Sequence, residues 1–296
     1  MIKRTLYFGK EAYLSTQKRQ LVIRYPDDDL EKKVPLEDIG VIFLDHYRLT
    51  LTSTLLNKLL ENNVAIITCD AQHLPLGMFL NLNGHSLQQE HFSNQIAVTQ
   101  AKKDRLWKQT IQAKITNQAH LLAQQGIPII NMQRWAKKVK NGDPENLEAR
   151  AASYYWSHLF VELPSFKRER YGAAPNSLLN YGYTILRGVV ARALVGSGLL
   201  PTLGIHHHNK YNAYCLADDM MEPYRPFVDK VVLQLIADGV GELTKESKQE
   251  LLKIPVLDVL MSQQKSPLML AVQQTTASLQ QCYAGNKKTI KYPHFV

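Results

Sequence analysis

The apolar residues of this chain change their period once, and that change constrains the fold more than any single motif. Up to about residue 80 they fall in short runs rich in β-branched and aromatic side chains: Arg4–Phe8, Leu21–Tyr25, Ile39–Leu44, Val64–Cys69 and Leu76–Leu80. Turn formers separate the runs, as in Pro26-Asp27-Asp28-Asp29 and at Pro75. This pattern predicts strands. One helix is predicted among them in LTSTLLNKLLENN, with Leu55, Leu56, Leu59 and Leu60 on one face and Thr52 or Ser53 as N-cap. The polar stretch NLNGHS (81–86) ends the pattern. Beyond it the spacing becomes helical, with Leu106, Ile111, Ile115 and Leu121 inside a long segment from Ile96 to Gln124 that Gly126-Ile127-Pro128 closes. Asp143 is placed as N-cap with Pro144 in the first turn of the next helix, ENLEARAASYYWSHLF. Further helices are predicted over Asn176–Gly196, roughly Asn212–Glu222, and on to about Cys282, with Ser247 and Glu250 at capping-box spacing. The tail KKTIKYPHFV is expected to be flexible. The fold class is therefore α+β: an N-terminal β-rich domain over 1–83, followed by a larger all-α C-terminal domain over 84–296 that carries the chemistry.

Composition narrows the function. At 296 residues and 45% hydrophobic, the chain has material for a substantial core. No stretch approaches the ~18 apolar residues of a membrane span, and MIKRTLYFGKEAYL lacks the apolar centre of a secretory leader. Cys69, Cys215 and Cys282 form no CxxC pair, so neither structural zinc nor a disulfide framework is expected, and a cytoplasmic location fits. A net charge of +9 favours an acidic partner, nucleic acid above all. Basic clusters at Lys102-Lys103-Arg105, Lys137-Lys138-Lys140, Lys167-Arg168-Arg170 and Lys287-Lys288-Lys291 suggest a phosphate-binding surface, although each alone also reads as a solvated helix end or loop. GxxxxGK[ST], HExxH and GxSxG are absent, and Gly196-Ser197-Gly198 reads as a helix terminus because Pro201 stands where a dinucleotide fingerprint needs glycine.

Three features carry possible metal chemistry. Glu148 lies beside Ala151, Ala152, Tyr155 and Leu159 on a packing helix, where a carboxylate needs a metal or a partner such as Arg150. His206-His207-His208 offers imidazole, though adjacent residues point apart and a polar surface turn is the alternative. Asp219 and Glu222 share a helix face before Pro223, which calls for a cation between them or for Arg225 as ion-pair partner. Oxygen and nitrogen donors of this kind suit Mg2+ or Mn2+. Combined with a basic surface, they point to metal-assisted phosphodiester chemistry.

The order and spacing of several segments resemble the CRISPR-associated integrase, the catalytic subunit of the spacer-acquisition complex (the Cas-one family). These are VPLEDIGVIFL (34–44), VAIITCD (64–70), ENLEARAASYYW (145–156), APNSLLNYGYTILRGVVARALVGSGLLPTLGIHH (174–207) and LADDMMEPYRPFVD (216–229). The resemblance covers nearly the whole chain. It implies that Glu148, His207 (from Gly204-Ile205-His206-His207) and Glu222 are the catalytic metal ligands for Mg2+ or Mn2+, with Asp219 auxiliary. Many family members carry Asp at the last ligand position, where this chain has the longer Glu222. The resemblance further implies a β-rich domain that mediates homodimerisation, to which extended IGVIFL-type strands would contribute as edges. It also implies a small companion protein (the Cas-two family) in a heterohexamer, and double-stranded DNA as substrate. The implied reaction is transesterification: the 3′-hydroxyl of a prespacer duplex attacks a phosphodiester at the edge of a CRISPR repeat. Lys167, Arg168, Arg170, Arg187 and Arg192 are candidate backbone contacts, with an ion-pair role equally open for Arg187 and Arg192. Tyr181 and Tyr183 are expected in the core rather than in catalysis. A metal-dependent nuclease and a non-catalytic DNA-binding scaffold are the rival readings.

Overall fold

A computed structural model describes residues 3–71, 73, 75–163, 166–169, 172 and 174–296. Its first part holds β1 (Arg4–Phe8), β2 (Ala12–Gln17), β3 (Gln20–Tyr25), β4 (Asp28–Pro35), β5 (Ile39–Leu44), β6 (Leu49–Leu51), α1 (Ser53–Glu61), β7 (Ala65–Cys69) and β8 (Pro75–Phe79). These strands form two four-stranded sheets, ordered β1-β5-β7-β8 and β4-β3-β2-β6. In the first, β1, β5 and β7 run parallel and β8 is antiparallel to β7. Of the two candidate caps, Thr52 and Ser53, it is Thr52 that caps α1, accepting a hydrogen bond from the Leu55 N–H.

The continuous apolar runs of β5 and β7 have a structural cause. Ile42 and Ile66 face a core shared with Leu14, Leu21, Leu55 and Leu59, whereas Val41, Phe43, Ala65 and Ile67 face the helical core. A strand covered on both faces needs apolar residues at every position. This corrects one expectation: IGVIFL is not an edge, because β5 lies between β1 and β7 and is buried. Strands β2, β4 and β6 were not predicted. Strand β4 starts within the supposed Pro26–Asp29 turn, and alternating charged residues on it mask the period.

The second part comprises α2 (Gln88–Ile96), α3 (Gln100–Gln124), α4 (Ile130–Lys138), α5 (Leu147–Leu159), α6 (Asn176–Gly196), α7 (Cys215–Met221), α8 (Arg225–Ala237), α9 (Lys245–Leu251), a hairpin of β9 (Asp258–Met261) and β10 (Gln264–Pro267), and α10 (Leu268–Tyr283). The helical part thus includes one short hairpin beside its helices. Helix α6 is apolar nearly all round because it is central: it packs on α7, α8, α9 and α10 and on the first sheet. Gly188 permits that last contact, since a Cβ there would lie 2.7 Å from Ile67 Cδ1.

Three local expectations are revised. Helix α5 begins at Leu147 rather than at Pro144, after Asn146 in the left-handed conformation (φ 49°). Asp143 still caps it, accepting from the N–H groups of Leu147 and Glu148 at 3.0 and 2.9 Å. The capping box before Ile254-Pro255 joins Thr244 to Ser247, not Ser247 to Glu250. The basic tail is packed rather than flexible: Ile290, Tyr292 and Phe295 are buried, Phe295 stacks on Phe227 at 4.2 Å, and His294 bridges to Leu260. Its apolar residues alternate with exposed polar ones, which reads as surface unless the partner hairpin is known. Phe295→Ala should therefore cost about 3 kcal/mol of stability, measured as a lowered urea midpoint at constant m-value. Among the described residues no helix is long and apolar enough to cross a membrane.

Candidate active site

Four segments far apart in sequence supply the site. Helix α3 contributes Trp107, Lys114 and Gln118, α5 contributes Glu148, the loop before α7 contributes His207, and a short 3₁₀ turn (Glu222–Tyr224) contributes Glu222. Pro223 has no N–H to continue α7, so the chain tightens into that turn and re-enters a helix at Arg225. Asp219 and Glu222 share a face but turn to different partners as a result.

The two glutamates meet at one cation. Lys114 Nζ lies 2.7 Å from Glu148 Oε1 and 2.6 Å from Glu222 Oε2, and Arg225 Nε donates to Glu222 Oε1 at 2.8 Å. The partner of Glu148 is thus Lys114, not Arg150. Burial alone would raise the pKa of Glu222, but Arg225 and Lys114 outweigh it and hold the carboxyl at about 2. For Lys114, burial acts to lower the pKa, and the charges of Glu222 and Glu148 overcome it and keep the ammonium protonated above its ordinary range. Glu222 is therefore ionised at neutral pH, and both carboxylates are directed at the Lys114 ammonium.

Asp219 arranges the histidine run. Its buried carboxylate accepts from the backbone N–H groups of Ile205 (2.6 Å), His206 (3.0 Å) and His207 (3.2 Å), and Oδ1 pairs with His207 Nδ1 at 2.6 Å. Gly204 makes this wrap possible, because a Cβ there would strike the His207 carbonyl oxygen. The neighbouring rings are told apart by their contacts. His206 stacks on Trp107, with ring centres 4.2 Å apart and planes within 2°, while His207 meets the edge of the same indole at 5.8 Å. In the neutral ring, donation of Nδ1–H to the Asp219 carboxylate leaves the lone pair on Nε2 of His207. Both oxygens of Asp219 are thus engaged by the His207 ring and its loop. The hydrogen bond to Asp219, against the effect of burial, raises the pKa of His207 above 6.5.

Two carboxylates and an imidazole nitrogen form a donor set that fits a hard or borderline divalent ion. Among the described residues, however, no three His, Cys, Asp or Glu side chains are drawn together as a ready cage. The point between the two glutamates belongs to Lys114.

The family described as CRISPR associated protein Cas1 matches residues 6–263. The chain belongs to the Cas1 family. A CRISPR-associated endonuclease Cas1 from Neisseria meningitidis serogroup C (strain 8013) is 34% identical over 301 residues, covering 100% of this chain and 97% of the relative. Among solved structures, a casposase bound to integration product superposes with a TM-score of 0.77 at 20% identity, over 98% of this chain and 92% of that one. A Cas6-RT-Cas1–Cas2 complex gives 0.75 at 20% identity, over 97% of this chain and 35% of the matched chain. The fold is that of Cas1 proteins.

Within this Cas1 chain, other predicted residues take distinct places. Arg192 is buried and donates to the Asn63 carbonyl, so it ties α6 to the turn between α1 and β7 and is not available to DNA. Arg187 pairs with Asp218 at 2.7 Å. Arg168 is held by Asn176 and Asn180, Lys167 is exposed, and Arg170 lies outside the described residues. Lys137, Lys138, Lys140, Lys287, Lys288 and Lys291 are all exposed. Tyr181 is fully buried, as expected of a core residue. Tyr183 is buried too, but its hydroxyl donates to Asp229, whose carboxyl burial pushes up to about 6 despite hydrogen bonds from Tyr183 and Tyr155. No motif marks Lys114 or Gln118 in the sequence. Their signal was present, because Trp107, Ile111, Lys114, Gln118 and Leu121 follow a three–four spacing that places a charge on the buried stripe of α3.

Proposed function

We propose that this Cas1 chain is a Mg2+- or Mn2+-dependent DNA integrase that joins the 3′-hydroxyl ends of prespacer DNA to CRISPR repeat DNA by transesterification. The observation that carries the reading is the meeting of Glu148 and Glu222 at one cation position, with the His207 ring near enough to act electrostatically on Glu222. The Neisseria relative named an endonuclease and the casposase neighbour bound to integration product support phosphodiester chemistry. The Cas1–Cas2 complex among the neighbours supports a small Cas2-type companion. The homodimer, the heterohexamer and the division at 83/84 into dimerisation and catalytic domains belong to the same proposal.

Glu148, His207 and Glu222 would hold the metal, which when bound supplies positive charge to the phosphoryl centre and lowers the cost of deprotonating the attacking hydroxyl. Asp219 fixes the tautomer and direction of His207. Arg225 keeps Glu222 ionised. The exposed lysines position the DNA backbone without reading sequence. Incubation of the protein and its companion with 3′-hydroxyl duplex and supercoiled repeat plasmid in Mn2+ should yield joined products that EDTA abolishes. Hydrolysis with no joined product would favour a nuclease.

The pH dependence has a definite sign. Because the folded pKa of His207 is raised, its pairing with Asp219 contributes stability fully below 6.5, and that contribution is lost as pH rises through the higher folded value. Metal binding runs the other way, because Nε2 must be unprotonated. Mn2+ affinity is expected to rise through a midpoint above 6.5, and Asp219→Asn should move that midpoint to lower pH. Calorimetric titrations across the pH range would show it, and an unmoved midpoint would contradict the assignment.

A further inference from the structure

We propose that Lys114 is a built-in cation that closes the metal site of the metal-free protein, and that divalent metal binding displaces its ammonium into the adjoining cavity beside Gln118. This rests on the metal-site reading of Glu148 and Glu222.

The geometry first says what Lys114 does now. Its side chain is 12% exposed and leaves α3 to reach carboxylates on two other elements, at 2.7 and 2.6 Å. Two ionised carboxylates brought together in a largely buried place repel unless positive charge lies between them. Lys114 supplies that charge and holds the glutamates at the separation a shared cation requires. Arg225 adds a second positive charge on the far oxygen of Glu222. Two carboxylates, one ammonium and one guanidinium sum to no net charge.

A divalent ion entering this cluster while Lys114 stayed in place would add two uncompensated charges at close range to an ammonium, in surroundings that screen poorly. The ion would also need the same oxygen atoms that Lys114 engages. Metal and ammonium therefore exclude one another. Lysine suits such a role better than arginine, because it is a point charge on a flexible stem with no fixed fork geometry.

The structure also shows where the ammonium can go. Lys114, Gln118, Glu222, Arg225 and Asp229 line one cavity together with Arg168, whose guanidinium is held by Asn176 and Asn180. Gln118 stands one turn beyond Lys114 on α3, is buried, and its Oε1 has no hydrogen-bond donor. A buried amide oxygen without a donor is costly. A displaced Lys114 would satisfy it while remaining inside the site. The metal-free site thereby keeps its glutamates aligned, and only a cation that competes for both carboxylates opens it.

The full-length protein tests this with Mn2+ and Mg2+ alone, with no DNA. Lys114→Met keeps the apolar stem and removes the charge. Titration calorimetry should show it binding Mn2+ about 10-fold tighter than wild type or better, with a lower melting temperature in EDTA and a larger Mn2+-induced rise. Unchanged or weaker Mn2+ binding by this variant overturns the proposal. Glu148→Ala separates the two readings. If wild type binds Mn2+ in a Glu148-dependent way but Lys114→Met gains nothing, the Lys114 role alone falls. If neither protein shows Glu148-dependent binding, the metal site falls with it. A second readout needs no substitution, should Lys114→Met fail to fold. In protein labelled with 15N-lysine, the protected Lys114 ammonium resonance seen in EDTA should move and lose protection at saturating Mg2+. A resonance unchanged under saturating Mg2+ overturns the proposal.

Discussion

Glu148→Ala and His207→Ala are each expected to reduce joining of 3′-hydroxyl duplex to a repeat plasmid by about 1,000-fold or more, while duplex binding stays within a few-fold of wild type. The size follows from what is lost: charge stabilisation directed at a phosphoryl centre is commonly the largest catalytic contribution. The specificity of the loss follows from position. Neither side chain carries the fold, since the Glu148 side chain is 23% exposed and that of His207 43%. The exposed Lys137, Lys138, Lys140, Lys287, Lys288 and Lys291 are untouched by either substitution. Glu148→Ala also removes one of the two anchors of Lys114, so Glu148→Gln is a useful companion that keeps a hydrogen-bond acceptor and removes only the charge. Single-turnover joining assays in Mn2+, with filter binding of the same duplex in parallel, decide the matter. Wild-type joining by either alanine variant would remove these residues from the metal site. Loss of DNA binding in step with joining would instead favour a scaffold whose acids are structural.

Asp219→Ala is expected to be the most damaging substitution near the site, lowering stability by about 3–5 kcal/mol. Asp219 is completely buried and satisfies three consecutive backbone N–H groups as well as the His207 ring. Its removal leaves those donors without an acceptor inside the protein. It also leaves Gly204–His207 without the anion that wraps the loop. Joining should fall about 10–100-fold even where the protein remains folded, the usual range for losing a group that orients a metal ligand. Urea unfolding followed by Mn2+ titration of the folded fraction separates the two effects. A variant of wild-type stability would mean that the loop is held by other contacts, chiefly the stacking of His206 on Trp107.

How much of this was legible beforehand depends on the range over which each feature is determined. The strands β1, β3, β5, β7 and β8, the capped helix α1 and the long helices α3 and α6 follow from local periodicity and end signals, nearly to their ends. Strand β4 does not, because its charged residues obey pairing with β3 rather than an apolar pattern of its own. The packing of the tail is hidden from the sequence for a similar reason: Tyr292 and Phe295 are core residues because Thr110, Phe227 and the β9–β10 hairpin lie opposite them. The identities of Glu148, His207 and Glu222 came from motif resemblance, while residue chemistry alone left a bland partner open for each.

The sequence by itself determined the change from strand to helix near residue 81, the basic charge, and the stock of oxygen and nitrogen donors, since all three are properties of single residues or of near neighbours. Tertiary structure decided which charge stands beside which. It made Lys114 the partner of both glutamates in place of Arg150, turned Asp219 away from Glu222 to clamp the histidine loop, and buried Arg192 against the Asn63 carbonyl. Such pairings join helices that are distant in sequence. They depend on angstrom-scale distances in a poorly screened interior, which no local pattern encodes.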